Sequence, residues 1–237
     1  MLTLEAVTLI EGDFTLTADW SVAPERRVAI IGPSGAGKST LLDVISGFRV
    51  PQSGRVVWQG REMTRQPPDR RPVAMLFQEN NLFPHLDLTR NLGLALRPDG
   101  RAPCGAEAGR IDAALARVGL AGMGGRRPSE LSGGQQSRAA LARVLLQDRP
   151  IIALDEPFSA LGPALKADML ALVSEVAAEL RALVLMVTHD PTDARRFAEE
   201  VVLVSDGRAH APVATDALFA DPPDALRAYL GTGGATP

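Results

Sequence analysis

Two glycine-rich segments of this chain have the residue types that bind phosphate. The first, GPSGAGKS at 32–39, fits the pattern G-x-x-x-x-G-K-[S/T], in which backbone amides and a lysine hold the phosphates of a nucleotide. The second, LSGGQ at 131–135, places a serine and two glycines before an apolar run with helical spacing. Such a helix start offers amides to an anion that can approach closely. The two motifs together predict a nucleotide-binding protein with two distinct phosphate contacts.

Each residue type that the first motif requires has a separate task. Its glycines let the backbone approach the phosphates in conformations that a Cβ would oppose. Lys38 supplies positive charge to the β- and γ-phosphates, Ser39 a hydroxyl ligand for Mg²⁺, and Thr40 a hydrogen bond to the α-phosphate. A glycine turn that merely caps a helix is the alternative. The predicted phosphate contacts are Gly32, Pro33, Ser34, Gly35, Ala36, Gly37, Lys38, Ser39 and Thr40.

Two carboxylates, Asp155 and Glu156, directly follow the apolar run 151–154. Buried at the end of a core strand, they would be costly without a compensating cation. Beside a phosphate loop that cation is Mg²⁺, and we expect Asp155 to hold it through water. Glu156 is then free to orient and deprotonate the attacking water. Taken alone, an Asp-Glu pair at a strand end is more often a turn or a helix cap.

Two further polar side chains follow predicted strands. His189 comes just after the apolar run 184–187, where side chains reach the carboxyl edge of the sheet, and we expect it to contact the γ-phosphate. Gln78 follows the run 73–77 and can ligate Mg²⁺ or the attacking water in one state and withdraw in another. The predicted catalytic residues are Glu156, His189 and Gln78, and the predicted metal ligands are Ser39, Gln78 and Asp155.

The second motif is redundant within one chain, because the phosphate loop already holds the phosphates. It is useful if two subunits pack head to tail and each caps the nucleotide of the other. The residues predicted to make that contact are Ser132, Gly133, Gly134 and Gln135. The alternative is an ordinary helix N-cap.

The elements that position these residues belong to the α/β class. Apolar runs without alternation are typical of parallel strands covered on both faces, and helical segments between them predict a three-layer core. They lie at 27–31, 73–77, 151–154, 184–187 and 201–204. The segments 2–9, 14–19 and 55–59 predict an antiparallel sheet beside that core.

Between residues 84 and 147 the strand signal fades, and helical spacing at 110–118 and 135–146 predicts an inserted helical lobe. The Gly/Pro/Ala-rich stretch 97–109 is expected to be an exposed connector that contains Cys104. One domain is therefore predicted, with its nucleotide-binding core at 1–83 and 148–220. A short helix at 224–230 and a flexible tail complete residues 221–237.

The composition excludes several classes of protein. A net charge of −3 and a pI near 5.7 give no case for sequence-independent nucleic-acid binding. The sequence has no apolar run of membrane-spanning length and no pattern of a signal peptide near its start. Cys104 is the sole cysteine, which excludes an intrachain disulfide and fits a reducing compartment. We expect a cytosolic protein, or one attached to a membrane through a partner.

The residues GPSGAGKST, Gln78, LSGGQ, IIALDEP and His189, in this order and spacing, resemble the ATP-binding subunits of ATP-binding-cassette (ABC) transporters. The resemblance covers nearly the whole chain. It implies a P-loop NTPase core with an antiparallel β lobe and an inserted helical lobe, and a homodimer that closes around two ATP molecules with Mg²⁺. It further implies transmembrane permease subunits, a secreted solute-binding protein as an indirect partner, and a place on the cytoplasmic face of the bacterial inner membrane.

Within that family, the segment at 70–96 resembles the subunits of thiamine importers most, through QENNLF followed by N-L-G-L-x-L. The alternatives are an importer of another small solute, such as iron, a polyamine or molybdate, and a weakly catalytic regulatory subunit. ABC proteins of DNA repair or translation usually have two cassettes or a long coiled coil, and this sequence has neither. Three residues of the segment could form either a groove for a permease helix or part of the lobe's own core: Phe83, Pro84 and Leu86.

The sequence departs from the family pattern in three places. Gly162 stands where the family usually has an aspartate that helps to lock the dimer, so hydrolysis or coupling is expected to be weaker. Glu11 and Gly12 stand where an aromatic residue generally stacks on adenine, and Phe14 is the available substitute. Gln136 replaces a common arginine.

Overall fold

The structure is a computed structural model, and it describes residues 1–77, 81–159 and 161–230. Gln78 and the predicted tail after residue 230 lie outside the described residues. The strands are β1 (Leu2–Glu11), β2 (Phe14–Val22), β3 (Arg27–Ile31), β4 (Ser53–Trp58), β5 (Arg61–Glu62), β6 (Val73–Leu76), β7 (Ile151–Asp155), β8 (Leu183–Val187), β9 (Glu200–Ser205), β10 (Arg208–Ala209) and β11 (Val213–Ala214). The helices are α1 (Lys38–Ser46), α2 (Leu88–Gly93), α3 (Ala106–Arg117), α4 (Gly133–Leu146), α5 (Pro163–Leu180), α6 (Pro191–Phe197), α7 (Thr215–Ala220) and α8 (Asp224–Tyr229).

Five parallel strands form the core in the order β9-β3-β8-β7-β6. Their side chains alternate between two apolar layers, since successive residues of a strand point to opposite faces. In β3, Val28 and Ile30 pack with α1, whereas Ala29 and Ile31 pack with α4, α5 and α6. The apolar runs are thus covered on both faces, and the predicted three-layer α/β class is confirmed.

The N-terminal strands form an antiparallel lobe in the order β2-β1-β4-β5. The short strand β10 joins this lobe to the core, because it pairs in parallel with β2 and antiparallel with β9. The register of β1 shifts at a bulge between Leu4 and Val7, where Ala6 has φ 45°. Gly54 faces this bulge, and a Cβ there would lie 2.4 Å from the Ala6 carbonyl oxygen.

The helices α2, α3 and α4 enclose an apolar cluster of their own, which includes Leu88, Leu92, Ile111 and Leu115. The predicted exposed connector at 97–109 is wrong at its C-terminal end, since α3 begins at Ala106. The reason is an ion pair that composition does not reveal: Arg97 Nε lies 2.7 Å from a Glu107 carboxylate oxygen, which also accepts a hydrogen bond from the backbone amide that precedes the helix. That contact folds the connector back and starts the helix early.

Candidate functional site

The phosphate loop joins the end of β3 to the start of α1, and its glycines are required by geometry. Gly32 has φ +152°, and a Cβ there would lie 2.0 Å from the backbone oxygen of Val204. Gly37 has φ +102°, and its Cβ would lie 2.6 Å from the ring of Phe14. Neither position can accept a side chain without a shift of the neighbouring atoms. The loop therefore keeps its amides close to the start of α1, where an anion is favoured.

Lys38 is the first residue of α1 and its side chain folds back over the loop. Its Nζ donates hydrogen bonds to the carbonyl oxygens of Gly32 at 2.9 Å and Pro33 at 2.8 Å. Burial lowers the pKa of Lys38, while the charges of Glu156 and Asp155 oppose that shift. The ammonium group is thus held in place above the loop. Its charge interacts with those of Asp155 and Glu156, the two carboxylates predicted to act at the same phosphate site.

Ser39 and Asp155 meet across the loop, since the Ser39 hydroxyl donates to Asp155 Oδ1 at 2.9 Å. Burial raises the pKa of Asp155, and the hydrogen bond from Ser39 opposes the rise. A hydroxyl and a carboxylate at this separation fit Mg²⁺, which takes oxygen ligands, usually one or two carboxylates together with substrate phosphates and water. Within the described ranges, no group of three or more His, Cys, Asp or Glu residues is placed to hold a metal ion.

Glu156 and His189 are in direct contact, which the sequence did not predict. His189 Nδ1 lies 2.8 Å from Glu156 Oε2. The neighbouring strands β7 and β8 pair Asp155 with Val187, so the residues that follow each strand meet at one edge of the sheet. Glu156 has φ 44°, an uncommon value for a residue with a side chain, and its amide donates to the Val187 carbonyl at 3.2 Å. Such backbone conformations are concentrated at functional sites.

A cleft of about 400 Å³ lies over the phosphate loop, a size that suits a small-molecule ligand. Besides loop residues and Glu156, it is lined by Glu11, Phe14 and Arg49. Arg49 contacts Glu11 and also places Nε 3.0 Å from Asp43 Oδ2, so its guanidinium group is fixed beside Phe14. Arg49 could not be predicted from the sequence, because it follows α1 in a loop and belongs to no motif.

The LSGGQ segment starts α4 with a reciprocal cap. The Ser132 hydroxyl accepts from the Gln135 amide at 3.3 Å, and Gln135 Oε1 accepts from the Ser132 amide at 3.0 Å. Gly134 packs tightly, since a Cβ there would lie 2.4 Å from Leu165 Cδ2. Among the described residues that line the cleft over the phosphate loop, none comes from 132–135. The structure therefore does not bring these residues together with the phosphate loop of the same chain.

Two of the positions that depart from the family pattern have defined places. Gly162 is the N-cap of α5, with φ −66° and ψ 157°, and no side chain caps that helix. Gln136 lies in the first turn of α4, where its Nε2 donates to the Pro128 carbonyl at 3.0 Å. An amide thus serves a structural role there.

The segment around Phe83 is exposed and rigidly held. Phe83 is 45% exposed and Pro84 is exposed, so the interpretation of these two residues as lobe core is wrong; Leu86 is half-buried. The buried Asn91 holds the segment, because its side chain accepts from the Phe83 amide and donates to the carbonyls of Phe83, Leu86 and Asp87, all within 2.7–3.0 Å. A separate cleft of about 330 Å³ is lined by Phe48, Phe77, Leu94 and Arg143 among others, and residues 83–87 are not part of its lining.

The fold and site define an ATP-binding cassette, and comparison with known proteins agrees. The family model described as ABC transporter matches residues 16–159. The dimeric ATP-binding cassette MJ0796, solved in a post-hydrolysis state bound to ADP and Pi, superposes with a TM-score of 0.78 at 29% identity, covering 91% of this chain and 99% of that one. The chain belongs to the ABC transporter family, and the resemblance predicted from its motifs is confirmed.

Curated relatives indicate which subunits within the family this chain is similar to. A protein of Cereibacter sphaeroides named thiamine import ATP-binding protein ThiQ is 62% identical over 231 residues, which is 98% of this chain and all of the relative. A protein of the same name from Ruegeria sp. is 54% identical over the same length and coverage. These names confirm the resemblance to thiamine-import subunits that the segment 70–96 indicates. In the described part of the chain, no helix has the length and apolar character needed to cross a membrane.

Proposed function

We propose that this chain hydrolyses MgATP to drive a membrane importer of thiamine. The observation that carries the catalytic part is that each of three pairs places one residue at the cleft: Lys38 with its loop carbonyls, Ser39 with Asp155, and Glu156 with His189. The relatives at 62% and 54% identity over almost the full length support the choice of solute.

In this proposal each pair has one task in the transfer of the γ-phosphoryl group to water. The loop amides and Lys38 bind the β- and γ-phosphates and neutralise their charge. Ser39 and Asp155 would hold Mg²⁺, which supplies charge stabilisation to the phosphates, and Gln78 would join them from outside the described residues. Glu156 orients the attacking water and accepts its proton, while His189 donates to the γ-phosphate and keeps the Glu156 carboxylate in place.

We further infer that ATP binds between two copies of the chain arranged head to tail. Ser132, Gly133, Gly134 and Gln135 form a helix start that can accept an anion, yet they do not line the cleft of their own chain. A second copy would bring them to the γ-phosphate. The dimeric state of the MJ0796 cassette, which shares this fold, supports a pair of copies.

Phe14 and Arg49 would bind the adenine base at their end of the cleft. The ring of Phe14 lies against Gly37 of the phosphate loop, and the guanidinium of Arg49 is fixed by Glu11 and Asp43. An aromatic ring and a guanidinium plane both stack on bases. They would replace the aromatic residue that is missing at position 11.

The membrane partners are part of the proposal. The segment at 83–87, which is held by Asn91 and exposes Phe83, and the cleft lined by Phe48 and Phe77 offer apolar side chains to a short helix of a permease. Attachment through that permease would place the chain at the cytoplasmic face of the inner membrane, with a secreted thiamine-binding protein as an indirect partner. Gly162 favours one competing function, a weakly catalytic regulatory subunit, because the dimer-locking carboxylate is missing.

The test is reconstitution of the chain with its permease and solute-binding protein in vesicles. We expect thiamine to stimulate ATP hydrolysis and to accumulate in the lumen, while molybdate, iron and polyamines do neither. Glu156→Gln should bind ATP, stop hydrolysis and accumulate as a dimer. Glu175→Gln, the same change at an exposed position of α5, is the control. Undiminished turnover in Glu156→Gln would refute the catalytic assignment, and stimulation by another solute would refute the choice of thiamine.

A further inference from the structure

The histidine at the cleft has one contact that comes from outside the α/β core. The hydroxyl of Tyr229, the last residue of α8, donates a hydrogen bond to the backbone carbonyl of His189. The two residues are 40 positions apart, so the contact depends on how the C-terminal helix docks. No sequence motif relates α8 to the catalytic edge of the sheet.

The docking of α8 is well defined. Leu226 is fully buried, and Tyr229 packs with it against the apolar cluster formed by α5, α6 and the sheet. Arg227 pairs with Asp221 at 3.0 Å and with Asp224 at 3.3 Å, which ties the helix to the residues that precede it. The Tyr229 hydroxyl therefore belongs to a helix that is packed against the rest of the structure.

The residues that flank His189 are already held by the core. The Thr188 amide donates to the Ile30 carbonyl at 3.2 Å, and the Asp190 carboxylate caps α6 by accepting from the Thr192 amide at 2.8 Å. Lys166 of α5 adds an ion pair to Asp190 at 3.5 Å. The peptide that follows His189 is held on both sides: its amide, that of Asp190, donates to Thr188 Oγ1 at 3.0 Å, and its carbonyl accepts from Tyr229.

We propose that Tyr229 is a positioning residue for His189: its hydroxyl fixes the His189 carbonyl and, through that peptide, aims the imidazole at Glu156. The imidazole itself is 57% exposed, and Glu156 is its hydrogen-bond partner at 2.8 Å. With the carbonyl released, the peptide keeps only the hydrogen bond from its amide to Thr188, and the imidazole approaches the carboxylate less precisely. The C-terminal helix thereby becomes part of the hydrolysis machinery without contact to nucleotide. This inference rests on the role proposed for His189.

The environment of the phenol agrees with this position. Burial raises the pKa of Tyr229, and the negative charges of Asp190 and Glu156 raise it further. The phenol therefore stays protonated and able to donate across the range in which the enzyme would work. Because Tyr229 is the sole tyrosine of the chain, its ionisation can be followed directly by ultraviolet difference spectroscopy.

The experiment is a double-mutant cycle on single-turnover ATP hydrolysis with enzyme in excess. Tyr229→Phe keeps the ring and removes the hydroxyl, and we expect the hydrolysis rate to fall roughly 2- to 12-fold with ATP affinity unchanged, as for the loss of one hydrogen bond. In a His189→Ala background the same change should have no further effect, because Tyr229 acts through the imidazole. Thr215→Val removes another buried hydroxyl, which lies at the start of α7 and donates to the backbone carbonyl of Ala198, and should leave the rate unchanged.

The outcomes separate the inference from the proposed function. If His189→Ala hydrolyses ATP at the wild-type rate, the role of His189 fails. If His189→Ala is slow but Tyr229→Phe is not, or if Tyr229→Phe slows both backgrounds equally, the positioning role is overturned.

Discussion

Gly162→Asp is expected to stabilise the isolated chain, for a reason that the structure makes quantitative. Gly162 is the N-cap of α5 with φ −66°, a conformation that any residue adopts, and a Cβ there would meet nothing within 4 Å. Removal of a glycine from such a position contributes about 0.4–1 kcal/mol by restricting the unfolded chain. An aspartate cap adds a few tenths of a kcal/mol over glycine. The sum is about 1 kcal/mol, or a rise in Tm of about 2–4 °C for a chain of this size.

The assay is thermal unfolding of the nucleotide-free chain, with two matched variants. Gly162→Ala restricts the unfolded chain but caps poorly, so it should be about 1 kcal/mol less stable than Gly162→Asp. Gly162→Asn caps without charge, and its difference from aspartate at low salt measures the interaction with the helix dipole. If aspartate proves no more stable than alanine, the carboxylate does not cap α5 and the reasoning is refuted.

Gly162→Asp also tests the expectation that Gly162 lowers the rate of ATP hydrolysis. In the assembled transporter Gly162→Asp should raise ATPase activity, because the family aspartate helps to lock the dimer. A gain in Tm without a gain in activity would show that the glycine is no defect in this protein.

Phe14→Ala should weaken ATP binding by about 5- to 150-fold, from about 1–3 kcal/mol for one stacked base, and leave the binding of inorganic triphosphate unchanged; equal losses for both ligands would assign the effect to packing against Gly37. Asp155→Asn should raise the Tm of the nucleotide-free chain at neutral pH, since burial raises the pKa of Asp155 and makes its ionised form costly in the folded state. The wild-type free energy of unfolding should therefore fall as pH rises from the unfolded pKa, 3.8, through the raised folded pKa, and Asp155→Asn should lose that pH dependence. Asp168→Asn, at an exposed position of α5, is the control, and an equal change in both variants would contradict the assignment.

Much of the fold could be predicted from periodicity because the core strands are short, apolar and buried on both faces. The strand over 27–31 matches β3 at both ends, and the run 151–154 is one residue shorter than β7. The short strands β5 and β10 were not predicted, since two residues carry no period. The early start of α3 was missed because it depends on the Arg97–Glu107 ion pair, which no local pattern records.

The site divides in the same way. Lys38, Ser39 and Asp155 were predicted as neighbours because each belongs to a recognisable motif. Lys38 and Ser39 belong to the phosphate loop, and Asp155 belongs to the Asp-Glu pair at the end of a predicted core strand. The Glu156–His189 contact depends on strands β7 and β8 being adjacent, which is a matter of sheet order. Arg49, at the end of the cleft that is proposed to bind adenine, belongs to no motif.

By itself, the sequence determined the phosphate chemistry of this protein, because glycines at fixed spacing before a lysine and a serine allow few other backbone conformations. It also determined the class of fold, through the length and composition of its apolar runs. The tertiary structure alone decided which residues surround that chemistry: the Phe14 ring over Gly37, the guanidinium held by Glu11 and Asp43, and the phenol of Tyr229 behind His189. These contacts join residues far apart in the chain, and such pairs are fixed by how the layers pack and not by any local preference of the backbone.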